Sequence, residues 1–200
     1  MKLRLLVLVA GLLFVTGAAS AQIGIYATPV FTYASNSRSD QGVFTFYGAN
    51  STSRLFSGVG IGVYDDLVHA SLVDVGVDVR GSIQKGGNAH LNSFMVGGRV
   101  SFHPVAIPVR PYAEVLAGVG GTRAATNPVY QNKVEYGAVA GLDYPLGKLV
   151  DFRVIEIGYS SLQTINTPAV TGASSTFPAS RLLNFSTGIV IRLPVKIPIP

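Results

Sequence analysis

The sequence predicts an all-β protein: an eight-stranded antiparallel up-and-down transmembrane β-barrel that follows a cleaved N-terminal signal peptide. Three observations lead to this fold class. The chain is 48% hydrophobic but only 12% charged, whereas a soluble domain is about a quarter charged. After residue 15 it has no apolar run long enough for a transmembrane helix. Its strand-like runs alternate apolar and polar residues, and the gaps between these runs alternate in length.

The N-terminal segment 1–21 has the features of an export signal. A short basic start precedes an apolar core over 5–15, which is too short to cross a bilayer as a helix. Ala19 and Ala21 form a small-x-small cleavage box, which predicts a mature chain beginning at Gln22. The signal predicts the general secretion route and, with the barrel, the cell outer membrane. The alternative is an uncleaved anchor.

Runs with a period of two are predicted as strands, and most are longer than the strands of soluble proteins. Their length suits the roughly 9–11 tilted residues that cross a bilayer. The predicted strands cover 22–34, 53–64, 68–82, 91–103, 109–122, 133–144, 150–163 and 181–193. The chain therefore divides into a signal peptide (1–21), one barrel (22–193) and a Pro-rich tail (194–200).

The gaps between the predicted strands indicate which end of the barrel faces outward. Outer-membrane barrels have short periplasmic turns and longer extracellular loops. Short gaps with turn residues, such as Asp65-Asp66, are predicted at 65–67, 104–108 and 145–149. Long gaps rich in small polar residues are predicted at 35–52, 83–90, 123–132 and 164–180. The long gaps at 35–52 and 164–180 are either binding surfaces on a rigid barrel or plain solvated loops.

Charged side chains alternate with apolar ones along the predicted strands. In a membrane barrel the apolar face contacts lipid and the charged face lines the lumen. We expect the lumen charges to pair as a polar plug, because unpaired buried charges are costly, or else to line a narrow ion path. The predicted lumen network comprises Asp74, Asp78, Arg80, Arg99, Arg110, Glu114, Glu135, Asp143, Arg153 and Glu156.

One strand breaks the alternation, because Arg153 and Glu156 have opposite parity. If both face the lumen, a β-bulge must absorb one residue near Val154-Ile155. The alternative is that Glu156 lies near an interface and needs no bulge.

Aromatic residues gather at the short-turn ends of the strands and suggest a periplasmic girdle. The predicted girdle residues are Tyr64, Phe102, Tyr144 and Phe152.

Three segments resemble the outer-membrane β-barrel family, that is, the OmpA-like eight-stranded transmembrane domain. They are Arg110–Glu114, Tyr136–Tyr144 and Val150–Tyr159. The resemblance spans 22–193 and implies the barrel fold, an outer-membrane location and contact with the barrel-assembly machinery during biogenesis. The last predicted strand ends at Leu193, where family members usually carry an aromatic residue.

Other function classes find little support. The net charge of +5 includes two charges from the signal peptide, and no basic block favours nucleic acid. His69 and Ser71 share a strand face, but they lie by a short turn that is predicted to be periplasmic, away from the lipid A of the outer leaflet. His90 and Ser93 lie near an outer loop but have no evident acid partner. No enzyme, metal site or cofactor is therefore expected.

The favoured hypothesis is a structural or surface-interaction protein with a polar, mostly plugged lumen. Its expected partners are outer-membrane lipid, lipopolysaccharide and the assembly machinery. Two alternatives remain open: a narrow porin-like channel and a soluble periplasmic ligand-binding barrel.

Overall fold

Residues with alternating polarity form the strands of this protein, whose computed structural model describes residues 22–173 and 177–194. A short helix, α1 (Thr167–Thr171), lies in the last loop. Among the described residues, no helix is long and apolar enough to cross a membrane. The strands are β1 (Gln22–Ser35), β2 (Ser53–His69), β3 (Val73–Gly86), β4 (Ala89–Phe102), β5 (Arg110–Arg123), β6 (Tyr130–Pro145), β7 (Val150–Leu162) and β8 (Ser180–Pro194).

The strands pair in chain order and close into one antiparallel barrel. Closure joins β1 to β8, for example at Ile25 with Ile191. Because each strand has a partner on both sides, no sheet edge is left open, as a membrane barrel requires. The predicted fold class is confirmed.

Apolar side chains cover the outside of the barrel. Val96 is 44% exposed and Val115 is 73% exposed, and similar residues occupy the outward positions of every strand. Charged side chains such as Asp78 and Arg153 are fully buried inside. This arrangement is the reverse of a soluble barrel and is typical of a barrel that contacts lipid.

Two predicted gaps are wrong. The stretch 83–90 is not a long loop, because β3 and β4 continue to a two-residue turn at Gly87-Asn88. Gly87 has a φ of 60°, which glycine adopts without strain and which suits a tight hairpin. Asp65-Asp66 is not a turn either: both residues lie within β2, and the chain turns at 70–72 instead. A register shift near Asp66 lets β2 continue past its acidic pair.

The predicted bulge in β7 is confirmed. Arg153 pairs with Gly188 and Glu156 pairs with Ser186, so β7 uses one residue more than β8 over this interval. Val154 and Ile155 are both exposed on the outside. The extra residue therefore returns Glu156 to the lumen beside Arg153.

The predicted signal peptide, with Ala19 and Ala21, lies outside the described residues, and so does the Pro-rich tail beyond Pro194. The cleavage site before Gln22 stays a prediction.

Candidate functional site

A closed ring of ion pairs blocks the middle of the lumen. Arginines and carboxylates alternate around it, and each strand from β3 to β7 supplies at least one member. Five of its N–O contacts measure 2.7–3.3 Å, and the sixth joins Arg80 directly to Glu114. Asp78 adds a further carboxylate at 2.7 Å from Arg80. The ring runs through Arg80, Glu114, Arg99, Asp143, Arg153 and Glu156.

Three tyrosines enclose the arginines of this ring. The Arg99 guanidinium lies 4.1 Å from the ring centroid of Tyr64 and 3.9 Å from that of Tyr112. Arg153 lies 4.3 Å from the centroid of Tyr26. The Tyr26 hydroxyl donates to the carboxylate of Asp78 at 3.0 Å, and the Tyr112 hydroxyl donates to that of Glu156 at 2.6 Å. Cation–π contacts and charged hydrogen bonds thus hold the guanidinium groups in place.

Each of these tyrosines lies flat against a glycine on a neighbouring strand. A Cβ added at the glycine would lie only 2.1–2.4 Å from the aromatic ring. Because glycine has no side chain, each tyrosine ring has room to fit inside this narrow barrel. The pairs are Gly24 with Tyr64, Gly62 with Tyr26 and Gly141 with Tyr112.

We expect Gly62→Ala to lower the free energy of unfolding by about 1–3 kcal/mol, because the new methyl group overlaps the Tyr26 ring. Urea unfolding of the protein in lipid vesicles measures this change. Gly98→Ala is the matched control, since a Cβ there meets nothing within 4 Å. Equal losses in the two variants would contradict the close-packing argument.

Loop 36–52 closes the outer mouth of the barrel. Phe46 and Tyr47 fold inward and are only 1% and 4% exposed. Phe46 stacks on Phe56 with a centroid distance of 4.8 Å. Together they form an apolar plug with Ala34, Ala89, Leu91, Ala124, Leu162, Ile165 and Leu182. The outer end of the lumen is therefore sealed by hydrophobic packing rather than by charge.

Hydrogen bonds hold this loop to its neighbours. The Tyr47 hydroxyl donates to Ser180, and burial raises the pKa of the Tyr47 phenol above its ordinary value. The Asp40 carboxylate accepts from the backbone N–H of Thr167 at 2.8 Å. Thr126 donates to the carbonyl of Val43 at 3.0 Å. The two long outer loops are thus tied to each other and are not plain solvated loops.

A small cavity of about 70 Å³ lies between the plug and the ring. Glu135 borders it and is 2% exposed, and its carboxylate accepts from Ser93 at 2.5 Å and Ser160 at 2.8 Å. The buried amide oxygen of Gln84 has no hydrogen-bond partner among the described residues. The packed plug lies above this cavity and the ion-pair ring lies below it, so the cavity is not part of an open path through the barrel.

Below the ring, the short-turn end of the barrel holds a second set of charges. Arg192 contacts Asp151 at 2.7 Å, and Arg110 lies 3.4 Å from the same carboxylate. Asp74 lies beside two histidines of the short-turn end, His69 at 2.9 Å and His103 at 3.4 Å. Among the described residues, no group of three or more His, Cys, Asp or Glu could hold a metal ion.

The structure distributes the predicted lumen residues over three levels. Seven belong to the ring or touch it, Glu135 lies above it, and Asp74 and Arg110 lie below it. Of the ten, only Arg80 and Arg110 are partly exposed. The seven in the middle are Asp78, Arg80, Arg99, Glu114, Asp143, Arg153 and Glu156.

The girdle prediction is wrong for Tyr64. Its side chain is 3% exposed and packs on Arg99 inside the lumen, since it has the parity of the inward face of β2. Phe102, Tyr144 and Phe152 do face outward. Sequence reasoning missed the inward positions of Tyr26 and Tyr64 and the pairing of Asp151 with Arg192. Strand parity could have found Asp151, which is two residues from Arg153.

No protein-family model and no curated protein sequence matches this chain. Solved structures do match. Neisserial surface protein A is 15% identical with a TM-score of 0.55, over 88% of this chain and 99% of that chain. The attachment invasion locus protein Ail of Yersinia pestis, solved with the heparin analogue sucrose octasulfate, is 11% identical with a TM-score of 0.51, over 88% of this chain and 100% of that chain. At such identities the likeness establishes the fold, which is that of the eight-stranded outer-membrane β-barrels.

Proposed function

We propose that this chain works in the outer membrane as a closed barrel with a structural or surface-interaction role. The observation that carries the proposal is the double closure of the lumen. The apolar plug around Phe46 seals the outer mouth, and the ion-pair ring through Arg153 fills the middle.

This double closure argues against the narrow channel. A permeant ion would have to displace packed aromatic side chains and then separate buried ion pairs, and each of these steps is costly. The ring also offers no spare cation or carboxylate, since each member contacts an opposite charge on both sides. The closed barrel is therefore the better fit to the geometry.

The outer surface argues against a soluble ligand-binding barrel. Outward positions such as Val77, Val119 and Ile157 are apolar on neighbouring and distant strands alike. Water-exposed sheets carry polar residues at these positions. The cavity beside Glu135 has a volume of about 70 Å³, which is well below the size of a usual ligand pocket.

The surface role rests on the tied outer loops. Loop 36–52 is hydrogen-bonded to Thr167 at the start of α1, through Asp40 and Phe44, and loops held on a rigid barrel are natural binding surfaces. The expected partners are outer-membrane lipid, lipopolysaccharide and the barrel-assembly machinery. Ail, which shares the fold, was solved with a sulfated sugar.

Planar lipid bilayers test the closed state directly. After reconstitution of the protein, we expect no stepwise single-channel conductance, because both barriers persist in the folded barrel. A mobility shift between boiled and unboiled samples on a denaturing gel verifies that the protein is folded. Reproducible stepwise single-channel currents from heat-modifiable protein would contradict the closed-barrel proposal and favour the channel.

A further inference from the structure

Basic side chains line up across three strands at the outer rim of the barrel. Lys85 is the direct cross-strand partner of His90, and His90 is that of Arg123. We call these residues the basic row, and Tyr130 on β6 continues it beside Arg123. Their sequence neighbours, including Gln84, Leu91 and Thr122, are buried in the barrel, so the basic row faces outward.

The two charged members of the basic row, Lys85 and Arg123, have no ion-pair partner among the described residues. The Arg123 guanidinium lies 5.3 Å from the centroid of the Tyr130 ring, and its buried Nε has no hydrogen-bond acceptor. The row therefore has unused capacity for an anion.

A concave basin opens at the basic row. It has a volume of about 400 Å³ and lies between the turn at Gly87-Asn88 and the loop 124–129, with Thr126 and Asn127 also on its wall. Backbone, hydroxyl and amide groups thus stand beside Lys85 and Arg123. The basin can receive a group of headgroup size rather than a single ion.

An apolar groove lies directly below the basin on the same strands. It has a volume of about 410 Å³, and Ile61, Ile83, Phe94 and Val119 form its walls around Gly81, which contributes no side chain. These residues belong to the lipid-facing surface. A ligand that occupies both sites must have a hydrocarbon chain below and an anionic group above.

We propose that the basic row and this groove bind one molecule of the phosphorylated glycolipid of the outer leaflet, with a phosphate at Lys85 and Arg123 and an acyl chain along Gly81. This inference rests on the proposed outer-membrane role and adds to it the place on the barrel where the lipid binds. Arginine and lysine are suited to phosphate, and basic side chains at a bilayer surface attract anionic headgroups. An acidic protein or a sulfated sugar would use the basin but not the apolar groove.

The test measures binding of fluorescent bisphosphorylated lipid A to the detergent-solubilised protein. The same lipid without its phosphates and inorganic phosphate alone serve as comparison probes. For Lys85→Gln/Arg123→Gln we expect Kd for the phosphorylated lipid to rise about tenfold or more. The control Arg38→Gln/Lys133→Gln removes two exposed charges of the same end outside the row and is expected to leave Kd unchanged.

Two further results complete the test. Gly81→Leu fills the groove and is expected to weaken binding of both lipids, with or without phosphate. Equal affinity of the wild type for the two lipids, equal losses in the two charge variants, or full displacement by millimolar inorganic phosphate would each overturn the inference. Failure to insert into bilayers, seen as absence of the heat-dependent gel shift, would overturn the proposed function instead.

Discussion

Replacing Arg153 with Met is expected to lower the free energy of unfolding of the barrel by about 3–5 kcal/mol. Arg153 is fully buried and contacts both Asp143 and Glu156 at 3.0 Å. Methionine fills much of the volume but supplies no charge, so two carboxylates lose a shared counter-ion where water cannot replace it. Urea unfolding in lipid vesicles measures the difference.

Arg110→Met is the matched control for this variant. Arg110 is partly exposed and makes one ion pair at 3.4 Å, so its loss is expected to cost less than about 1 kcal/mol. In Arg153→Met, Asp143 keeps only the contact with Arg99. Adding Asp143→Asn removes this carboxylate and is expected to recover part of the lost stability. Similar losses for Arg153→Met and Arg110→Met would show that the ring does not hold the lumen together.

Replacing Val96 with Arg is expected to destabilise the barrel by about 2–4 kcal/mol and to reduce its insertion into vesicles. Val96 lies in the middle of β4, faces outward, and pairs with Val79 and Ala117. An arginine there would lie among hydrocarbon chains if the protein spans a bilayer. The free energy of unfolding in vesicles and the fraction of heat-modifiable protein measure the effect.

The same variant discriminates between the two kinds of barrel. On a water-exposed sheet, an outward arginine would change stability by less than about 0.5 kcal/mol. Val105→Arg is the control, because Val105 is 93% exposed in the turn 103–109. If Val96→Arg behaves like Val105→Arg, the outer surface of the barrel does not face lipid.

Much of the fold could be predicted because a strand has a strict period of two. That period reveals which residues share a face, and it makes the parity break between Arg153 and Glu156 visible as a bulge. It also separates the charged residues from the apolar ones before any strand is paired. The period does not show which face contacts lipid and which lines the lumen. That assignment needed a second observation, the low charge content of the whole chain.

The errors arose where local residue type was given more weight than parity. Tyr64 was placed with the other aromatic residues of the short-turn end, although its parity is that of the lumen. Asp65-Asp66 has the composition of a turn but continues the strand with Asp66 inside. In 83–90 the polar residues suggested a loop, whereas Gly87 alone suffices to reverse the chain.

The contacts of the ring could not be predicted from the sequence. Arg80 and Glu156 are 76 residues apart and lie 3.0 Å from each other across the lumen. Such a contact depends on the stagger of all the strands between them, which small errors at each turn would change. The inward folding of Phe46 and Tyr47 depends in turn on the width of the closed mouth.

The ring also has a consequence for how the chain matures. Its members come from five consecutive strands, so it is complete only after β7 has docked against β6 in the correct register. A slip of one residue in any of these strands would turn that strand's charged residue toward lipid. Misregistered intermediates are therefore penalised at the moment the barrel closes. The ion pairs of the ring therefore favour the native register of these strands over registers shifted by one residue.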